Sequence, residues 1–331
     1  MSLLSRIAAL LTGLLLLAAC AEQGAGDGRG GGSEAALPPL LNVQESGRRA
    51  HPLIGRIWIP GEGREASEAE LARHIAGTRF VLIGEKHDNP DHHRLQAGIL
   101  AELVRADRRP AVVWEMIDFT REDALQAYLA RPGADAAGLG DAVGWAESGW
   151  PEWETYRPIA EVAMAAGLPQ HAANFDRATV GRLMRDGLSA LTDPVTARLL
   201  RLAPWSQREE TALNLDLVEG HCGVMPERML APMNRIQRSR DAAMAAALLQ
   251  ADAGDGAVLI AGNGHVRADR GVPIYLGTNP DAVSIGLIEA VPGETAAAAY
   301  VDNARQFDFV IFTALTPSPD RCAGFSFGKK K

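Results

Sequence analysis

The sequence predicts an α/β fold: a mostly parallel sheet flanked by helices, with a smaller helical subdomain. Three observations point there. Short apolar runs without polar alternation, such as Phe80-Val81-Leu82-Ile83 and Ala257-Val258-Leu259-Ile260-Ala261, read as strands covered on both faces. Helical patterns separate these runs, which is the rhythm of βαβ units. From about residue 177 to 250 the rhythm stops and only helical pattern remains, as expected for a subdomain capping the sheet's carboxyl edge.

The first twenty residues are an address and not part of the fold. Arg6 supplies one positive charge, and Ile7–Leu17 is apolar except for Thr12 and Gly13. Leu17-Ala18-Ala19-Cys20 then forms a small-residue cleavage site ending in cysteine. The stretch is shorter than the roughly 20 apolar residues of a spanning helix. It resembles a bacterial lipoprotein signal, which implies lipidation of Cys20 and a membrane surface as partner. The other reading is an ordinary cleaved signal with an incidental cysteine. Ala21 in place of aspartate implies the periplasmic face of the outer membrane. Residues 21–39, rich in Gly and Ala, read as a flexible tether, leaving 40–331 as the folded part.

Each element of that folded part has its own signal. Leu53–Ile59 reads as an opening strand, and Ser67-Glu68-Ala69-Glu70 as a capping-box start for a helix to about Ile75. After the Phe80–Ile83 strand, Asp91–Ala106 carries a helical face of Leu95, Ile99 and Leu103. Ala111–Trp114 is the next strand, ending in Glu115-Met116, followed by a helix near Arg121–Leu129. A Gly- and Trp-rich stretch around 138–153 precedes a helix over Tyr156–Ala166, with Pro158 expected in its first turn. Pro169–Ala173 is a strand, and Trp205–Glu219 and Glu227–Gln250 are helices. Strands return at Ala257–Ala261, Val283–Ile288 and Phe309–Thr313.

Composition is ordinary for a globular chain, with 47% hydrophobic and 22% charged residues. A net charge of −8 argues against nucleic acid as a partner. Of three cysteines, setting Cys20 aside leaves Cys222 and Cys322. In a disulfide-permissive compartment these are either bonded or two independent thiols.

The chemistry concentrates at strand ends, where open α/β sheets bind ligands. Gly84-Glu85-Lys86-His87 follows one buried strand and Gly262-Asn263-Gly264-His265 another, so two G-x-x-H turns point to one shared site. Glu115 follows a third apolar run, where a carboxylate is costly unless paired or used; Asn174 ends a fourth. His92 and His93 lie near the start of the following helix. His221 sits in Glu219-Gly220-His221-Cys222 and can descend toward the sheet as a cap residue. Arg235, Arg238 and Asp241 share a face of the long helix, read as a solvated, salt-bridged face. There is no Walker A loop, no C-x-x-C and no H-E-x-x-H.

These motifs resemble the ChaN family. The likeness is carried by Phe80–Gln96, Glu115–Asp118, Trp153–Tyr156, Ala172–Asn174, Gly220–Cys222, Arg240–Ala245 and Gly262–Arg267, in order, between about Leu53 and Leu276. The resemblance implies a lipid-anchored protein that binds haem noncovalently in haem or iron uptake. It also implies a tyrosine axial ligand and a homodimer enclosing haem, with His87, His221 and His265 as further cofactor-binding candidates. Among Tyr128, Tyr156, Tyr275 and Tyr300, Tyr156 falls in a family-like segment and is the first candidate. Tyr275, in the strand-like run Ile274–Leu276, is its rival. The wider group contains Tiki proteases and erythromycin esterases, so whether the chain is an enzyme stays open. As a metal-dependent hydrolase or peptidase it would use His87 and His265 as ligands of a divalent metal or as general base, with Glu85 or Glu115 polarising water. A third reading is a lipoprotein recognising some other small molecule.

Overall fold

A computed structural model describes residues 37–41, 51–203, 205–277, 281–317 and 322. The signal segment, Cys20 and residues 21–36 lie outside the described residues. In chain order the elements are strands β1 (Ile57–Ile59) and β2 (Arg64–Ala66), helix α1 (Glu68–Ala76), β3 (Phe80–Ile83), α2 (Pro90–Arg105) and β4 (Ala111–Asp118). Then follow α3 (Glu122–Leu129), α4 (Ala136–Ala142), α5 (Trp153–Ala165), β5 (Gln170–Asn174) and α6 (Arg177–Asp186). Helices α7 (Pro194–Leu202), α8 (Gln207–Gly220) and α9 (Glu227–Ala251) lead to β6 (Ala257–Ile260), α10 (Asn263–Val266), β7 (Ala282–Glu289) and β8 (Phe309–Thr313).

The strands form one sheet in the order β2-β1-β8-β7-β3-β6-β4-β5. From β8 to β5 all neighbours are parallel, while β1 runs antiparallel to both β2 and β8. The missing polar alternation of β3 now has its cause. Val81 and Ile83 face a layer containing Leu95, Ile99 and Leu103 of α2, whereas Phe80 and Leu82 face a layer containing Ala245 and Leu248 of α9. Burying each such aliphatic or aromatic side chain is worth roughly 1.5–3 kcal/mol, so neither face of the strand tolerates a polar residue.

Several expectations shift. The opening strand shortens to Ile57–Ile59, and the edge belongs to Arg64–Ala66, whose exposed charged residues carried no strand signal. Only half of the capping box forms: Ser67 accepts from the Glu70 amide, but the Glu70 carboxylate pairs with Arg64. The α5 helix starts three residues early, at Trp153, so Pro158 falls beyond the first turn, where it cannot donate to the Glu154 carbonyl. Packing outweighs that loss, since Tyr156, Ile159, Ala160 and Ala163 are buried. Tyr275 lies in a 3₁₀ turn, Val272–Tyr275, and not in a strand.

Among the described residues, 177–251 contains helices and a 3₁₀ turn but no strand. The second half of α9, Ala242–Leu248, is buried against the sheet and so belongs to its main core as well. Cys222 and Cys322 form a disulfide with Cα atoms 5.5 Å apart, closing a separation of 100 residues. At the amino end, Leu40 and Leu41 are buried, and the Arg105 guanidinium donates to the Leu37 and Pro38 carbonyls. Residues 37–39, read as the end of the tether, thus lie near α2. No helix among the described residues is long and apolar enough to cross a membrane.

Candidate functional site at the sheet's carboxyl rim

Register assembles the site. Ile260 of β6 pairs with Ile83 of β3 on one side and with Trp114 of β4 on the other. The residues that follow, Gly84-Glu85, Ala261-Gly262 and Glu115, therefore emerge at one level. Glu115 lies inside β4, within the register irregularity between Trp114 and Asp118, and not beyond the strand end. Gly84 is required by close approach: a Cβ there would collide with the Asn263 side chain and sit 2.8 Å from Val266. Asn263 in turn bonds both the amide and the carbonyl of Leu287, which fixes the second turn against β7.

Glu85 is the centre of a closed cluster. Its Oε1 accepts from His87 Nδ1 at 2.5 Å and from the Tyr156 hydroxyl at 2.8 Å, and its Oε2 lies 2.7 Å from His93 Nδ1. His93 Nε2 reaches the His87 carbonyl at 3.0 Å, and its ring packs on Tyr156 with centroids 3.8 Å apart. Trp150 lies 4.7 Å from the His87 ring, and Trp145 lies 4.9 Å from Tyr156. Burial alone would raise the Glu85 pKa. The charge of His93 and the hydrogen bonds from His87 and His93 outweigh it and hold the carboxyl down at about 2. For His87 burial works downward, but the Glu85 bond and the Glu115 and Glu85 charges raise it.

Glu115 anchors a second cluster. Its Oε2 accepts from the Gly262 amide at 2.7 Å, and its Oε1 lies 3.3 Å from His265 Nε2. The other ring nitrogen of His265 is 2.5 Å from Asp241 Oδ1. Burial opposes the imidazolium, but the two flanking carboxylates prevail and push His265 up to about 10. Glu115 is held well below the carboxylate range, since His265 and His87 together overcome its burial. Asp241 moves upward because burial, helped by the neighbouring Glu115 charge, outweighs His265. The clusters meet at Gly262, where a Cβ would lie 3.1 Å from His87 Nε2 and 3.7 Å from Glu115 Oε2.

Other candidates fall into place around this rim. Asn174 lines the same cleft as Glu115 but turns its carbonyl oxygen onto the Phe175 amide. His92 is a structural pin: Nδ1 accepts from the Lys86 amide, Nε2 meets Thr313, and burial lowers its pKa to about 3. His221 lines a cavity of about 180 Å³ with His265 and Asp241, and its Nδ1 lies 2.7 Å from the Leu217 carbonyl. Arg235 and Arg238 line a separate, largely apolar cavity, with Arg238 over the Trp205 ring. Asp241, read as part of a solvated face, is 4% exposed and bonded to His265. Sequence reasoning undervalued His93 and Asp241. The signal for Asp241 was the apolar run Ala242–Leu248 directly after it, which marks a helix entering the core.

The expected cofactors can be weighed against these contacts. Among the described residues no group of three or more His, Cys, Asp or Glu side chains is arranged to hold a metal ion, so a divalent metal on His87 and His265 is not supported. Instead, each ring is bonded to carboxylates of its own cluster. An axial phenolate fits the structure poorly. Tyr156 is fully buried, donates to Glu85 and is shifted strongly away from ionisation by burial and by Glu85. Tyr275 is also buried and pushed upward, and accepts from Trp205. Tyr128 donates to the Asp135 carbonyl and Tyr300 to that of Glu294. His87 is the more accessible donor, although the carboxylates that raise it favour the imidazolium, which must lose its Nε2 proton before it can hold iron. The His87 side chain is 34% exposed, and Glu85 orients its Nδ1 as an outer carboxylate orients a ligating histidine.

Comparison with solved structures finds the same fold. A ChaN structure from Campylobacter jejuni, described by its cofacial haem binding, aligns with a TM-score of 0.61 at 20% identity, over 77% of this chain and 95% of that one. The type III effector HopBA1 aligns at 0.40 and 13% identity, over 74% of this chain and 91% of that one. An erythromycin esterase variant in its open conformation aligns at 0.36 and 12%, over 72% and 81%. These last two are too distant to carry an argument. Comparison with curated proteins finds no sequence match. The model of the family described as haem-binding uptake, Tiki superfamily, ChaN matches residues 71–276, and the chain belongs to that family.

Proposed function

We propose that this protein binds haem noncovalently at the carboxyl rim of its sheet, with His87 as the side chain that would hold the iron. The observation that carries the assignment is the Glu85–His87 pair beside Trp150: a partly exposed imidazole whose far nitrogen is fixed by a buried carboxylate. Haem, when bound, would supply the iron chemistry. The chain's own part is to orient His87, to keep Tyr156 protonated and to wall the ring with indoles. In this reading the lipidated Cys20 holds the protein at the periplasmic face of the outer membrane, and haem or iron uptake is its role. Two copies enclosing haem between them complete it.

Ferric haem titrated into the full chain should shift the Soret band, and His87→Ala should abolish the shift while Tyr156→Phe keeps it. Loss of the shift in Tyr156→Phe, with His87→Ala unaffected, would restore the phenolate ligand. Sedimentation with and without haem tests the dimer, and mass spectrometry of the membrane-extracted protein tests the lipid on Cys20.

A second reading is favoured by one observation, the Glu115–His265–Asp241 chain, in which an imidazolium is bracketed by two carboxylates. Such a group can give a proton to a leaving group in ester or peptide hydrolysis. Under this reading, turnover of an alkyl ester or a peptide, whose leaving group needs a proton, should fall at least about a hundredfold in His265→Gln. Equal rates in both proteins would remove it.

A further inference from the structure

A cleft of about 290 Å³ opens beside the Glu115 cluster, between the end of β5 and the loop that follows α4. Three guanidiniums line it: Arg240 from α9, half-buried, and Arg121 and Arg177 at the mouth. None of the three forms an ion pair among the described residues, and the Arg240 Nε is buried without a hydrogen-bond partner. The carboxylates of the cleft are mostly committed elsewhere. Glu115 serves Gly262 and His265, Asp118 caps the turn after β4, and Asp176 caps α6. Exposed Glu147 is the remaining negative charge.

The loop is shaped for these arginines. Gly144 and Gly149 both have positive φ, 63° and 86°, and a Cβ at either would press on a guanidinium: Arg121 at 3.1 Å or Arg177 at 3.2 Å. The Arg177 Nη2 also reaches the Ser148 carbonyl at 3.3 Å. Positive charge is thus held against a glycine-bracketed loop whose one uncommitted carboxylate, exposed Glu147, has its Oε2 3.1 Å from the same Gly144 Cβ position. A planar fork of donors of this kind matches a carboxylate.

We propose that this cleft is a carboxylate-binding subsite, in which Arg240, Arg121 and Arg177 hold the anionic group of a ligand next to the Glu115–His265 pair. The carboxylate comes either from a propionate of haem, which rests on the haem reading above, or from a small free acid, which does not.

Three probes separate these sources: ferric haem, its dimethyl ester and succinate, each titrated into the full chain and into Arg121→Gln, Arg240→Gln and the double variant. With a propionate source, the wild type binds haem at least about tenfold more tightly than the ester, and each substitution erodes that preference by roughly tenfold while ester affinity holds. With a free acid as source, succinate binds the wild type, each substitution weakens it by a similar factor, and haem and ester are treated alike. Binding of neither haem nor ester would defeat the haem reading and leave succinate to decide the subsite. The subsite is overturned if the wild type ignores succinate and shows no preference between haem and ester, or if the double variant behaves as wild type. Arg121 is exposed, so Arg121→Gln alone keeps the test readable should the double variant not fold.

Discussion

Two glutamates leave neighbouring parts of one sheet at the same level, and their surroundings differ. Glu85 is met by two histidines and a tyrosine under a wall of indoles, with only the His87 ring reaching solvent. Glu115 is met by one histidine and a backbone amide, and a second acid, Asp241, competes for that histidine. It also opens onto a cleft rich in arginine. The first cluster has three donors for one carboxylate and is built to stay shut. The second has two carboxylates for one imidazole and can give up a partner.

The largest effect that would break this contrast is removal of the glutamates themselves. Glu85→Ala removes the buried charge on which His87, His93 and Tyr156 converge, leaving Tyr156 the His87 carbonyl at 3.4 Å and His93 the Gln96 amide oxygen at 3.2 Å, and should cost about 3–5 kcal/mol in urea denaturation. Glu115→Ala should cost less, about 2–3 kcal/mol, because Asp241 still holds His265. Equal losses would mean the clusters are structurally equivalent. Gly262→Ala comes next, at about 1–3 kcal/mol, since the new methyl lies 3.0 Å from His87 Cε1. A crystal structure with an unmoved His87 ring would contradict the close approach.

Acid and base then separate the clusters further. His265, raised to about 10, contributes stability fully present below about pH 6.5 and lost as pH climbs through about 10. Glu85, lowered to about 2, contributes stability present above its unfolded value near 4.5 and lost as pH falls toward 2. His92, lowered to about 3, must be charged on unfolding, so stability also falls as pH drops from about 6.5 toward 3. Each group contributes a slope of at most about 1.4 kcal/mol per pH unit. His265→Gln should flatten the alkaline limb of the melting profile and also weaken the acid limb, because Glu115 loses the charge that holds it down, and an unchanged alkaline limb would argue against the bracketed imidazolium. Tyr156→Phe is the mildest, about 1 kcal/mol, because His87 and His93 remain on Glu85.

Much of this was legible in the sequence where one residue type admits one environment. Phe80–Ile83 and Ala257–Ile260 had to be doubly covered strands, and Glu85, His87, Glu115 and His265 had to meet once those strands were aligned. Partners supplied by helices were harder to see. His93 and Asp241 reach the rim from α2 and α9, at positions whose facing depends on helix rotation against the sheet. Tyr156 shows a different difficulty: sequence finds a tyrosine near the site but not whether its hydroxyl points outward or onto a buried carboxylate. The edge strand Arg64–Ala66 was hidden by its charge, and α4 by its glycines.

The placement of β6 has a consequence for how the molecule is made. Strands β3, β4 and β5 precede it in the chain, yet β6 wedges between β3 and β4. A nascent chain that has not yet delivered Ala257–Ile260 leaves two apolar ribbons with unsatisfied backbone edges facing a gap one ribbon wide. Such edges invite intermolecular pairing, and long-range closure of this kind is slow. Truncation anywhere before residue 257 should therefore yield insoluble material instead of a smaller working unit.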